Sequence, residues 1–101
     1  MKIGIVGSGA MGSVYGAILA DAGNELWLFD RWRDHVDAMR SKGLRCTGAS
    51  GDRTVAVNAT TDATAAGPCE LVVVATKVMD IEAGVRAAAP MIGPETLVLT
   101  I

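Results

Sequence analysis

Gly7, Gly9 and Gly12 stand in GSGAMG, a GxGxxG spacing that can hold a phosphate against bare backbone. Glycine at the first position permits a tight turn out of a strand. At the second it lets a pyrophosphate approach without meeting a Cβ, and at the third it allows a helix to pack closely on a sheet. Together with Ser8, the amides of Ala10, Met11 and Gly12 would then face the phosphates, helped by the helix dipole, and no cationic side chain is required. None occurs between Lys2 and Arg31. Asp30 and Arg31 come at the end of the next apolar run, in FDRWR. A carboxylate there accepts the ribose hydroxyls of NAD, whereas an arginine holds the extra phosphate of NADP, so the pair leaves the choice between NADH and NADPH open. Thr76 and Lys77 close the run LVVVATK, and a lysine so placed reaches either a cofactor phosphate, a substrate carboxylate or only solvent.

The elements around these residues decide what the glycines do. The Ile/Val-rich run from Lys2 to Gly7 has the character of a strand buried on both faces. Met11, Val14, Tyr15, Ile18, Leu19 and Ala22 then recur at helical spacing and predict one buried helix face, ended by Gly23 and Asn24. ELWLFD reads as a second strand, and RWRDHVDAMRSKG as a helix with Trp32, Val36 and Met39 on one side, ended by Gly43. LRCTGASGDRTVAVNA is expected to form two short strands around a turn, and TTDATAAGP a brief capped helix or loop. CELVVVATK is again a buried strand. VMDIEAGVRAAAP follows as a helix with Val78, Ile81, Val85 and Ala88 on one stripe, and Asp80 and Glu82 suit its first turn. Gly93 and Pro94 are expected to turn the chain into a last strand, TLVLTI.

Strands alternating with helices over short connections predict an α/β fold, a doubly wound parallel sheet of the Rossmann type, with residues 1–101 as one domain. GSGAMGSV also fits the glycine loop of protein kinases, but that loop joins two antiparallel strands and precedes a VAIK strand, whereas a helix pattern follows here.

Half of the 101 residues are hydrophobic, enough for one core, and the net charge of −2 with scattered basic residues offers no footprint for nucleic acid or an anionic membrane. The partner expected is a small molecule. Only a few apolar residues precede the glycines, far fewer than a leader core, and no run approaches a membrane span, so the expectation is a cytoplasmic protein. Cys46 and Cys69 are too far apart for a CxxC unit, and with His35 as the only histidine no metal site is expected. His35 itself falls on a polar helix face, away from the glycines. The chain stops at Ile101 inside an apolar run, which suggests the front piece of a longer, two-domain protein.

Taken together, the opening MKIGIVGSGAMGSVYGAILADAGNELWLFDR, the VVVATKVMD segment and the terminal LVLTI resemble the amino-terminal domain of the ketopantoate reductase (2-dehydropantoate 2-reductase) family. The similarity extends over essentially all of the chain and is loosest from Gly43 to Pro68. It implies hydride transfer from a nicotinamide dinucleotide, usually NADPH, to the 2-keto acid ketopantoate, giving pantoate on the route to coenzyme A. On this resemblance Gly7, Ser8, Gly9, Ala10, Met11 and Gly12 bind pyrophosphate, Arg31 matches the adenosine-phosphate arginine, and Thr76 and Lys77 match the nicotinamide end. Asp30 departs from the commoner apolar residue before that arginine. The resemblance also puts the family's asparagine, catalytic lysine and glutamate beyond Ile101, so no catalytic residue is expected among the 101 and the fragment alone should bind coenzyme without turnover. Related β-hydroxyacid or sugar-nucleotide dehydrogenases, and nucleotide-sensing modules of the kind that gate potassium transport, share the front motif.

Overall fold

The computed structural model describes residues 1–7, 10–31, 33–46, 53–76 and 81–100. Five strands form one wholly parallel sheet: β1 (Lys2–Val6), β2 (Glu25–Phe29), β5 (Asn58–Thr60), β6 (Cys69–Val74) and β7 (Ile92–Thr100). Their order is β5-β2-β1-β6-β7. The helices are α1 (Ala10–Asp21), α2 (Arg33–Lys42), α3 (Ala63–Ala66) and α4 (Ile81–Ala87), followed by a 3-10 turn at Ala89–Met91. A separate antiparallel hairpin, β3 (Leu44–Cys46) with β4 (Arg53–Val55), is inserted before β5.

Both faces of the sheet are packed, which is why its strands read as continuous apolar runs rather than alternating ones. Ile3, Ile5, Leu26, Leu28 and Val73 face Ala17 of α1 and Val36 and Met39 of α2. Val6, Phe29, Val72 and Val74 face the other way, against Ala63 and Ala66 of α3, Met91, and the partly buried Ile81 and Val85 of α4. The chain leaves β1 through α1 toward β2, and leaves β6 through α4 toward β7, on the opposite side. β1 and β6 are therefore neighbours whose connections diverge, the switch point at which open α/β sheets take ligands.

The α2 and α4 stripes follow their expected faces, with Val36, Met39 and Ala88 buried. Trp32 and Val78 lie outside the described residues. Gly23 (φ 92°) and Gly43 (φ 79°) end α1 and α2 as expected, the Gly43 amide donating to the Met39 carbonyl at 2.9 Å. Three expectations need correction. On α1, Tyr15 (38% exposed) and Ile18 (51%) face outward and Ala22 is exposed, while Gly16 and Ala17 are buried. The helix is apolar almost all round, so spacing could not choose its buried face; close approach to the sheet selected the small residues instead. The stretch after α2 holds a further strand, β5, which joins the main sheet through Trp27 opposite Asn58 and Phe29 opposite Thr60. Gly93 and Pro94 do not precede the last strand but lie within β7, in a bulge between the pairs Cys69–Ile92 and Leu71–Leu97. Thr96 Oγ1 fills that bulge, accepting from Gly93 N at 2.8 Å and donating to Cys69 O at 2.6 Å. Proline is tolerated there because β7 is an edge strand.

Candidate functional site

The carboxyl end of β1 is stitched to its two neighbours. The Gly7 amide donates to the Phe29 carbonyl at the end of β2, and the Ala75 amide donates to the Val6 carbonyl, both at 2.9 Å. Gly7 has φ +93°, a conformation that side chains rarely adopt, and a Cβ built on it would lie 2.9 Å from Thr76 Cγ2 and 3.3 Å from Thr76 N. Glycine is required there twice over, by the turn and by the closeness of β6. The helix begins at Ala10, so Ala10, Met11 and Gly12 form the first turn of α1, whose leading amides have no partner within the helix. Ser8 and Gly9 lie outside the described residues.

On the β2 side of this turn, Asp30 is half-buried and its amide donates to the Thr60 carbonyl at 3.2 Å, while Arg31 is exposed. The ledge beneath Asp30 is held by local bonds. Thr60 is buried, and its hydroxyl donates to the Asp62 carbonyl at 3.0 Å and accepts from the Asp62 amide at 2.9 Å. Asp62 caps α3, accepting from the Thr64 amide at 3.0 Å and the Thr64 hydroxyl at 2.6 Å, and these bonds hold its carboxyl below the usual carboxylate range.

On the β6 side stands Thr76. Its Oγ1 is buried and has no hydrogen-bond partner among the described residues. Lys77 lies outside the described residues. Sequence reasoning missed Gly84, which is buried on α4 and at which a Cβ would sit 3.3 Å from Val6 Cγ1 and 3.5 Å from Thr76 Cγ2. A signal was available: a glycine inside a helix pattern costs stability and asks for a packing reason. The structure thus gathers Gly7, Asp30, Thr76 and the start of α1 at the carboxyl ends of β2, β1 and β6.

Among the described residues the opposite end shows no such convergence. An open cavity of about 630 Å³ lies there between Pro68, Pro94, Glu70 and Leu97, but none of the residues expected to hold the cofactor lines it. Cys69 is nearby, a buried free thiol whose pKa is raised by desolvation. Among the described residues no group of three or more His, Cys, Asp or Glu could hold a metal ion, and no helix is long and apolar enough to cross a membrane.

The parallel order, the switch point between β1 and β6, and a glycine turn leading into α1 define a Rossmann-type, NAD(P)-binding α/β domain. The described residues fit a dinucleotide at the backbone: the leading amides of α1, which have no partner within the helix, open at this switch point beside the Gly7 turn. Comparison with known proteins carries this further: the chain belongs to the family described as ketopantoate reductase PanE/ApbA, whose model matches residues 3–101. It is 34% identical over 101 residues to 2-dehydropantoate 2-reductase of Lactococcus lactis, covering 98% of this chain and 32% of that protein. Over 77 residues it is 46% identical to 2-dehydropantoate 2-reductase of Pyrococcus abyssi, covering 76% of this chain and 25% of the relative. Among solved structures, a putative ketopantoate reductase from Ralstonia solanacearum superposes with TM-score 0.90 at 39% identity, over 98% of this chain and 30% of the other. D-mandelate dehydrogenase, in a ternary structure with NADH and anilino(oxo)acetate, superposes with TM-score 0.90 at 30% identity, over 100% of this chain and 33% of that one. The chain spans about a third of the length of the first of these curated relatives.

Proposed function

We propose that these 101 residues are the coenzyme-binding part of an oxidoreductase that reduces a small 2-keto acid, 2-dehydropantoate, to pantoate at the expense of a nicotinamide dinucleotide. The observation that carries the reading is the Gly7 turn at the switch point, closed by Thr76 on one side and Phe29 on the other, in a member of this family. In this reading Gly7, Ser8, Gly9, Ala10, Met11 and Gly12 hold the pyrophosphate on backbone amides. Asp30 and Arg31 meet the adenosine end, and Thr76 and Lys77 the nicotinamide end.

A bound dinucleotide supplies a hydride to the carbonyl carbon. The oxygen left behind needs a proton donor, and the residues proposed for the site bind and orient rather than protonate, so the isolated 101 residues should bind coenzyme without turning over substrate. Family membership supports an enzyme over a nucleotide-sensing module.

A second reading is favoured by two observations. Asp30 precedes Arg31 at the adenosine end, and a structural neighbour is a D-mandelate dehydrogenase with NADH; both suit an NADH-linked 2-hydroxyacid dehydrogenase. Calorimetric titration with NADPH and with NADH separates the two. Tighter binding of NADPH supports the first, tighter binding of NADH the second, and binding of neither overturns both. Asp30→Ala should move the preference toward NADPH; unchanged selectivity would show that the carboxylate does not meet the ribose.

A further inference from the structure

Among the described residues six large apolar side chains are left exposed, and three of them, Leu97, Val98 and Leu99, are consecutive on β7. β7 is the edge of the sheet, with β6 on its inner side and no strand among the described residues on its outer one. Along such an edge every second residue turns its N–H and C=O to the open side, a template for another strand. Proteins guard such edges with proline, a bulge or a charge. Here Pro94, Glu95 and the bulge stand at the start of the strand, and from Thr96 to Thr100 there is no charge, proline or glycine. The unguarded stretch, Thr96, Leu97, Val98, Leu99, Thr100, also reads the same in both directions.

We propose that the outer edge of β7 is an interface with a second copy of this chain, the two β7 strands pairing antiparallel about a two-fold axis beside Val98. The palindrome is what selects a copy over another partner. A two-fold axis normal to the sheet keeps every side chain on its own face, and it sets residue i of one chain against j of the other and j against i. Centred on Val98, it puts Val98 opposite Val98, Leu97 opposite Leu99 and Thr96 opposite Thr100, so each residue meets its own kind. By the period of two, four leucines then meet on one face of the joined sheet and two valines on the other. Charge fits the same register. An axis moved to Leu97 would set Glu95 opposite Leu99 and Pro94 opposite Thr100, whereas centred on Val98 both fall outside the paired stretch. The area covered is on the order of several hundred Å² per copy, short of the ~800 Å² per partner of a standard interface, and main-chain hydrogen bonds carry much of the affinity in strand addition. The dimer is accordingly weak, half-formed at about 100 µM, and the chain is monomeric at the low concentrations of an unfolding experiment. β1, which leads into the Gly7 turn, stands two strands in from this edge, so the interface does not depend on the coenzyme reading.

Analytical ultracentrifugation of the 101-residue chain from about 10 µM to about 1 mM tests this, and the parent should pass from monomer to dimer with no larger species. Val98→Lys sets two ammonium groups against each other across the axis and should weaken association at least about tenfold. Ile18→Lys, on the exposed face of α1, should leave it unchanged. Register is tested by Leu97→Lys and Leu99→Glu. Each alone should weaken the dimer, and an equimolar mixture of the two should restore it, because the new ammonium then lies opposite the new carboxylate while the other Leu97 still faces Leu99. That mixture also decides the matter if Val98→Lys fails to fold. A parent that stays monomeric throughout leaves the edge to some other chain and overturns the inference. So does a dimer that survives Val98→Lys, one that Ile18→Lys abolishes, growth beyond the dimer, or a mixture no stronger than its components.

Discussion

Beyond the bulge β6 and β7 lie side by side in register, and Leu71 opposite Leu97, Val72 opposite Val98 and Val73 opposite Leu99 are pairs of apolar residues. Their surroundings differ. Val72, Val73 and Val74 are buried, having β1 and β7 as strand neighbours and helices above and below. Leu97 is 71% exposed, Val98 47% and Leu99 51%, on a strand that has a single strand neighbour. What decides burial here is the number of covering layers, not the residue type. The consequence is a covered centre and an open edge: the switch-point residues Gly7 and Thr76 follow the two best-covered strands, β1 and β6.

Substitutions that should hurt the centre and spare the edge put this contrast at risk. The largest effect is expected for Ile5→Ala, which opens a cavity beneath α1 and α2 and should cost about 2–5 kcal/mol in urea unfolding. Gly7→Ala should cost about 1–3 kcal/mol from the positive φ alone. It should also weaken dinucleotide binding, since its Cβ would press on Thr76 and shift the turn; an alanine variant that binds normally would show that the cradle tolerates movement. Leu97→Ser is expected to change stability by no more than about 0.5 kcal/mol. A loss approaching that of Ile5→Ala would mean that β7 is covered in solution and that the contrast between the two strands is false.

Much of the frame is legible in the order of residues, for reasons tied to particular positions. Gly23 and Gly43 end helices because glycine reaches positive φ without strain, and Asp62 caps α3 because its carboxylate reaches the free amide of Thr64. Strand-turn-helix order around Gly7 follows from the Ile/Val run before it and the helical spacing after it. What escapes is of another kind. β5 is three residues long, Asn58–Thr60, too short for any period to show, and it is a strand only because Trp27, Leu28 and Phe29 stand beside it. The buried face of α1 is legible only at Gly16, one turn on from Gly12, where the lack of a side chain suits close packing on the sheet; elsewhere a helix apolar on nearly every side has no preferred stripe until a sheet selects its residues, here Ala17.

By itself, the order of residues determined the alternation of apolar runs and breakers, and with it the class of fold, the site of the glycine turn and the carboxylate and arginine that follow β2. These are local properties, set by how each residue restricts its own backbone and its near neighbours. Only the tertiary structure decided that Gly7, Thr76 and Gly84 come together, that the Thr76 hydroxyl is buried with no partner among the described residues, and that Val72 and Val73 are sealed while Val98 and Leu99 opposite them are open. Those outcomes depend on contacts between residues far apart in the chain, and no spacing along the sequence encodes which layers will meet.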